Sequence, residues 1–109
     1  MPKKVDTNQR EIVTALRTAG ATVFSLASLG KGVPDLCIGF RGLTILLEIK
    51  GPKGKVNPAQ AEWHARWGGS PVVVIRSVDD ILPLIKNMAA MVSVFGNRIA
   101  AAAAGKDTQ

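Results

Sequence analysis

Cysteine and histidine are almost absent from this chain of 109 residues, which contains one of each, Cys37 and His64. A single cysteine cannot form an intramolecular disulfide, and the two residues together are too few for a zinc site built from cysteine or histidine. Long apolar runs are missing as well. The opening stretch MPKKVDTNQR contains no apolar segment that could act as a secretion signal, and no run approaches the ~18 apolar residues of a membrane span. We therefore expect a soluble cytoplasmic protein.

Acidic residues are also scarce, with 8 Asp and Glu against 14 Lys and Arg, which gives a net charge of +6. Such an excess favours polyanionic partners such as nucleic acid or an anionic membrane surface. The remaining composition, 47% hydrophobic and 20% charged, is typical of a folded globule and not of a disordered chain. A chain of this length supports one modest core. We expect a single domain over residues 1–105 and a frayed tail over 106–109.

Hydrophobic periodicity and turn residues predict an α/β fold with the element order α-β-β-β-α-β-α. Ile12, Leu16 and Ala19 share one face of a first helix over 8–19. The order implies an antiparallel meander and then a helical crossover to a parallel strand, so the central sheet is expected to be mixed. The predicted strands cover 21–26, 35–40, 43–50 and 71–76, the second helix covers 58–67, and the last helix runs to about 103. The strand over 71–76 is apolar throughout, which is typical of a strand covered on both faces.

Capping residues mark the starts of the second and third helices. Asn57 is a favourable N-cap, a proline follows it at the first helical position, and Gln60 stands where it can close a capping box. Ser77 and Asp80 have the same spacing ahead of the last helix. Pro83 predicts a kink or a later start for that helix, because proline disrupts a helix interior.

The stretch PDLCIGFRGLTILLEIK, residues 34–50, reads as a hairpin of two apolar strands that nevertheless contains Asp35, Glu48 and Lys50. Such charged groups are rarely buried unless they are paired or hold a metal. If the Arg41-Gly42 pair forms a two-residue turn, Asp35 falls directly opposite Glu48, with their Cβ atoms ~5 Å apart. Lys50 lies on the same strand face as Glu48.

Two opposed carboxylates repel each other unless a cation lies between them. Mg²⁺ is a natural candidate, since it prefers oxygen ligands and often binds one or two carboxylates together with a substrate phosphate. Such an ion can polarise a phosphodiester and activate a bound water, and a nearby lysine can neutralise charge that develops on the phosphoryl oxygens. The alternative is an ordinary ion pair between lysine and an acid at a sheet edge.

These residues resemble a known signature. Pro34-Asp35 followed by Glu48-Ile49-Lys50 is similar to the motif of the PD-(D/E)xK nucleases. The GVPD stretch over 32–35, the upstream Glu11 and the downstream Gln60 narrow the resemblance to the virus-type replication-repair nuclease (VRR-NUC) group, over residues 8–85. The resemblance implies a restriction-endonuclease-like core and a metal-dependent nuclease of a bacterial or phage-infected cell.

The resemblance also assigns roles to individual residues. Asp35 and Glu48 would ligate Mg²⁺ or Mn²⁺ with the carbonyl of Ile49, and Lys50 would position and activate the attacking water. Glu11 would reach the metal directly or through a water.

Two of the residues that the resemblance adds have alternative roles. Glu11 could cap the first helix together with Asn8. Gln60 could simply close the capping box with Asn57, and that role is compatible with a place in the active site.

Basic loops flank this hairpin and are candidates for holding DNA. Lys31 precedes Asp35, and Lys53 and Lys55 follow the strand that carries Glu48. The alternative for all three is an ordinary solvated turn lysine. Trp63 and Trp67 share a helix face, and we expect core packing there in preference to base stacking. We expect His64 at the surface.

The last helix is apolar on more than one side, since Met91 and Val94 lie off its main stripe. This predicts a homodimer formed through the helix, with packing inside one domain as the alternative. Standalone members of the resembled family look like dimeric Holliday-junction resolvases. We therefore expect a Mg²⁺-dependent endonuclease for branched DNA that has no membrane partner. The rival hypotheses are a nuclease for flaps, nicks or linear duplex, a non-catalytic nucleic-acid binder, and a basic domain that docks a protein.

Overall fold

The fold is built on a four-stranded mixed sheet with three helices, seen in a computed structural model that describes the backbone of residues 7–103 and the side chains of residues 8–94. The frayed tail expected over 106–109 lies outside the described residues. The element order agrees with the expected α-β-β-β-α-β-α. The elements are α1 Thr7–Thr18, β1 Thr22–Ser25, β2 Leu36–Phe40, β3 Leu43–Ile49, α2 Pro58–Arg66, β4 Val73–Ile75 and α3 Ile81–Ala103. A short 3-10 turn over Val78–Asp80 leads into α3.

The sheet has the strand order β1-β2-β3-β4. The first three strands are antiparallel neighbours, and β4 pairs with β3 in parallel after the crossover through α2. This confirms the predicted meander and parallel addition. The apolar run over 71–76 gives a shorter strand than expected, and it lies at the edge of the described sheet. Within it only Ile75 is fully buried, so the expectation of cover on both faces is wrong for Val73 and Val74.

The hairpin between β2 and β3 has the predicted register, with Phe40 opposite Leu43 and Leu36 opposite Leu47. Both turn residues have positive φ angles, 48° at Arg41 and 92° at Gly42. Positive φ at both central positions matches the right-handed twist of the strands, which is why such two-residue turns set a hairpin register firmly. The side chain of every residue in the hairpin is therefore assigned to a definite face of the sheet.

One face of the sheet carries the apolar core. Alternate residues of β2 and β3 point into it, and α1 and α3 cover it with side chains that are also fully buried. The members of this core include Ile12, Leu16, Leu36, Ile38, Leu47, Ile49, Ile75 and Met88. Ala19, expected on the inner face of α1, is instead exposed, because α1 ends at Thr18.

Both predicted capping boxes are present. The side chain of Asn57 accepts a hydrogen bond from the backbone N–H of Gln60, and the side-chain oxygen of Gln60 accepts one from the backbone N–H of Asn57, both at 2.9 Å. Ser77 and Asp80 make the second box at the short 3-10 turn. Pro83 then lies in the first turn of α3, where its missing N–H costs no helical hydrogen bond, so the later start is confirmed. None of the helices in the described part of the chain is long and apolar enough to cross a membrane.

Candidate active site

Asp35 and Glu48 are both buried at the open end of the β2–β3 hairpin. Continued by one residue beyond the Leu36–Leu47 pair, the hairpin register places Asp35 across from Glu48, on the face opposite the apolar core. The carboxylate of Asp35 accepts a hydrogen bond from the backbone N–H of Ile49 at 2.8 Å. Burying two acids at one end of a sheet is costly unless hydrogen bonds or cations compensate them.

Helix α2 supplies two of the groups that contact Glu48. Gln60 Nε2 donates to Glu48 Oε2 at 3.3 Å, while Gln60 Oε1 accepts from the backbone N–H of Asn57. Both ends of the buried Gln60 amide are thus used, one for the capping box and one for the acid. The capping-box role of Gln60 is confirmed, and the box orients α2 so that its first turn lies over Glu48, while a part for Gln60 in catalysis stays a prediction.

His64 lies one helical turn beyond Gln60 and contacts the other oxygen of the same carboxylate, with Nε2 3.4 Å from Glu48 Oε1. The expectation that His64 is a surface residue is therefore wrong, since its side chain is only 18% exposed. Burial and, to a smaller degree, the charge of Lys50 lower the pKa of His64 from its ordinary value of 6.5. The imidazole is accordingly neutral at neutral pH, and the tautomer with a proton on Nε2 can donate to Glu48.

Ile49 ends the strand that carries Glu48, and Lys50 follows it directly. The backbone N–H of Lys50 donates to the carbonyl of Ile75, which extends the pairing of β3 with β4. The side chain of Lys50 is half-buried, and its positive charge helps to lower the pKa of His64. The ammonium group is therefore near His64, which itself contacts Glu48. The structure thus brings Asp35, Glu48 and Lys50 to one end of the sheet together with Ile49, as their spacing predicted.

Glu11 is exposed on α1 and lines a surface pocket of about 420 Å³ together with Gly51, Pro52 and Arg76. The amide of Asn8 in the same helix donates to the carbonyls of Lys50 and Arg76, at 3.2 and 3.1 Å. These bonds tie α1 to the carboxyl ends of β3 and β4. Glu11 therefore lies beside the loop that follows Lys50, and its role at a metal stays a prediction.

The donor chemistry of the site fits a hard divalent cation. Asp35 and Glu48 supply carboxylate oxygens, which Mg²⁺ prefers, and Mg²⁺ commonly takes only one or two carboxylates from a protein, with water and substrate phosphate completing its shell. Within residues 8–94, no group of three or more His, Cys, Asp or Glu side chains is placed to hold a metal ion. In this part of the chain, side chains alone therefore do not complete the coordination shell of a metal ion. A metal held here would depend on water and on the substrate.

The basic loops adjoin this end of the sheet along the chain, since one precedes Asp35 and the other follows Lys50. Arg76 Nη1 donates to the carbonyls of Gly51 and Gly54, at 2.9 and 2.6 Å, and so holds the loop that presents the exposed Lys53 and Lys55. The guanidinium is a better clamp for two carbonyls than an ammonium, since its donors are fixed in one plane.

The loop that carries Lys31 packs closely against α2. Gly32 has a φ of +83°, and a Cβ added to it would fall 2.4 Å from the carbonyl oxygen of Ala59. Only glycine permits both this backbone conformation and this approach. The exposed Lys31 is thereby held beside the first turn of α2.

Trp63 and Trp67 do not belong to the core, contrary to the sequence-based expectation. Their rings stack on each other with centroids 5.0 Å apart and planes 17° apart, and Trp67 is 44% exposed. The error has a simple cause. Gln60 and His64, not the tryptophans, occupy the face of α2 that meets the sheet.

A comparison with protein-family models finds no match for this chain, and a comparison with curated proteins finds none either.

Proposed function

We propose that this protein is a metal-dependent DNA endonuclease of the PD-(D/E)xK type, with a restriction-endonuclease-like core of the VRR-NUC kind. The observation that carries the proposal is the buried pair of acids at the end of the hairpin, Asp35 and Glu48, with the half-buried Lys50 two residues after Glu48. Burying both carboxylates costs free energy, because each loses its hydration. A cation held between the two carboxylates would offset the cost of burying both.

Asp35 and Glu48 would hold Mg²⁺ or Mn²⁺, with the carbonyl of Ile49 and with Glu11 directly or through a water. When bound, the ion would polarise the phosphodiester and lower the pKa of a bound water. Gln60 and His64 keep the carboxylate of Glu48 in place from the side of α2. They also add hydrogen bonds that reduce the cost of a buried charge.

Lys50 would position the attacking water and balance negative charge that develops on the phosphoryl oxygens. Lys31 on one side and Lys53 and Lys55 on the other would contact the backbone phosphates of the bound strand. All three lysines are exposed, and their loops are fixed by close packing against α2 or by Arg76. The net charge of +6 supports the same polyanionic partner.

The preferred substrate would be branched DNA, cut by a homodimer that acts as a Holliday-junction resolvase. Support for a dimer comes from α3, where the neighbouring side chains of Met91 and Val94 are 40% and 54% exposed. Apolar side chains exposed along one helix are typical of a surface that another protein covers. Analytical ultracentrifugation tests this part, and a monomer at micromolar concentration would reject the dimer and leave the nuclease untouched.

The test of the activity is cleavage of a labelled four-way junction, a flap and a linear duplex, each with Mg²⁺ and with EDTA. The variants are Asp35→Asn, whose amide oxygen can still accept from Ile49, and Lys50→Ala. Lys86→Ala serves as the matched control, because Lys86 is exposed on α3, the helix that covers the core face of the sheet and not the face of Asp35 and Glu48. We expect metal-dependent cutting of the junction that both site variants lose while they retain DNA binding.

Equal cutting by the wild type and the two site variants would remove the proposed site. Linear duplex cut as readily as the junction would leave the nuclease and reject the resolvase.

A further inference from the structure

The stacked tryptophans form one wall of a surface pocket of about 410 Å³. Lys31, Ala59, Glu62 and Arg66 complete its lining. This volume falls within the range of small-ligand sites. Exposed indole rings beside cations are a combination that suits a flat, π-rich and negatively charged ligand better than an apolar one.

The aromatic wall is held in a fixed position. Trp67 stacks on Trp63, and Gly69 lies against its indole, since a Cβ added there would fall 2.7 Å from Nε1. A side chain held on two sides loses little conformational freedom when a ligand packs against it, so its exposed surface is prepared for binding.

The cations at the pocket are available to a ligand. Lys31 is exposed and is held next to α2 by the close packing of Gly32 against Ala59. Arg66 pairs with Glu62 at 2.9 Å, but both side chains are largely exposed, at 77% and 68%. An exposed pair at i, i+4 spacing contributes little, so a phosphate can displace Glu62 from Arg66.

Helix α2 contributes residues both to this pocket and to the surroundings of Glu48. Gln60 and His64 on α2 contact Glu48, while Trp63 lies on the neighbouring face of the same helix and Trp67 is the C-cap residue that ends it. A strand whose phosphate lies at Glu48 would therefore carry its next nucleotides along α2, towards the tryptophans.

We propose that the Trp63–Trp67 pocket binds an unpaired base of the DNA substrate, which packs on the indole rings while Lys31 and Arg66 hold the flanking phosphates. This inference deepens the proposed function by naming the feature of branched DNA that the protein recognises, an unstacked nucleotide beside the cleavage site. Base pairs in an intact duplex cannot reach the rings in this way.

Tryptophan fluorescence gives a direct readout, because the chain has two tryptophans and both are in the stack. The protein is titrated in EDTA with a single-stranded thymidine oligonucleotide, with an abasic oligonucleotide of the same length, and with linear duplex. We expect the single strand to quench the emission and the abasic strand, which keeps the phosphates, to leave it nearly unchanged. Quenching by the abasic strand equal to that by the thymidine strand would overturn the inference.

Affinity for labelled oligonucleotide, measured by anisotropy, tests the residue assignment. We expect Trp67→Ala to weaken binding of the single strand about tenfold, in line with the contribution of stacking on one aromatic ring, and Trp67→Phe to restore most of it. Binding of the abasic strand is expected to be unchanged by Trp67→Ala. Phe24→Ala is the matched control, because Phe24 is an aromatic residue, 70% exposed on β1 and outside the pocket.

Equal affinity of the wild type and Trp67→Ala for the single strand would overturn the inference. Since EDTA prevents metal-dependent cutting, neither assay depends on the proposed activity. A protein that binds the unpaired base but cuts no DNA would refute the nuclease and leave the pocket assignment intact. A protein that cuts DNA with no contribution from Trp67 would do the reverse.

Discussion

Gln60 connects the start of α2 to Glu48, and replacing it with alanine tests whether this connection matters for stability. The substitution removes the acceptor for the Asn57 N–H and the donor to the carboxylate, two hydrogen bonds in a buried place. Loss of one half of a capping box costs about 1 kcal/mol. Withdrawing a donor from a buried charged group adds about 1–2 kcal/mol, because part of the cost of its burial is no longer offset. We therefore expect Gln60→Ala to lower the free energy of unfolding by about 2–3 kcal/mol.

The matched control is Asn57→Ala, which removes the other half of the same capping box without touching Glu48. It is expected to lower the free energy of unfolding by about 1 kcal/mol. Both variants are measured against the wild type by urea denaturation in EDTA, with the slope of the transition compared to confirm that the unfolded states are alike. If Gln60→Ala costs no more than Asn57→Ala, the bond between α2 and the buried acid contributes nothing, and the reasoning is refuted.

Three further predictions follow from individual contacts. Gly32→Ala is expected to lower the free energy of unfolding by about 2–4 kcal/mol, because alanine would be held at an unfavourable positive φ and its Cβ would clash with Ala59. Urea denaturation measures the loss, and a value below about 1 kcal/mol would contradict this prediction. His64, the chain's one histidine, is expected to titrate below pH 6.5 by NMR in EDTA. The unfolded chain therefore binds this proton more readily than the folded one. As a result, the contribution of His64 to the free energy of unfolding is constant above pH 6.5 and is lost as the pH falls through the lowered pKa. Comparison with a His64→Gln variant, which is expected to lack this loss, is the check. Arg76→Gln is expected to free the loop over 51–55 and to speed its cleavage by a lysine-specific protease, whereas an unchanged rate would show that Arg76 does not hold the loop.

Local signals predicted most of the scaffold. The Arg41-Gly42 pair allowed the hairpin register to be read directly, because a two-residue turn with positive φ at both positions permits one pairing of the strands. Asn57 and Gln60 in the same way marked the start of α2, since a capping box is decided by residues three apart. The facing positions of Asp35 and Glu48 followed from the turn alone.

The misses at the candidate site concern which side of α2 meets the sheet. Trp63 and Trp67 share a helix face, and apolar side chains on one face normally indicate the buried side. Here the buried side carries Gln60 and His64, because the sheet presents an acid to it at Glu48. The hydrophobicity of the side chains favours the tryptophans as the buried face of α2. Only the position of Glu48 in the folded sheet, next to α2, places Gln60 and His64 on that face instead. The i, i+4 spacing of Gln60 and His64 was the one signal in the sequence that pointed to this result.

The most direct test of the central claim is a crystal grown with Mn²⁺ and measured for anomalous scattering. We expect a peak bonded to an oxygen of Asp35 and to an oxygen of Glu48, and no such peak in the Asp35→Asn protein. Manganese bound elsewhere on the chain, with none between these two carboxylates, would contradict it.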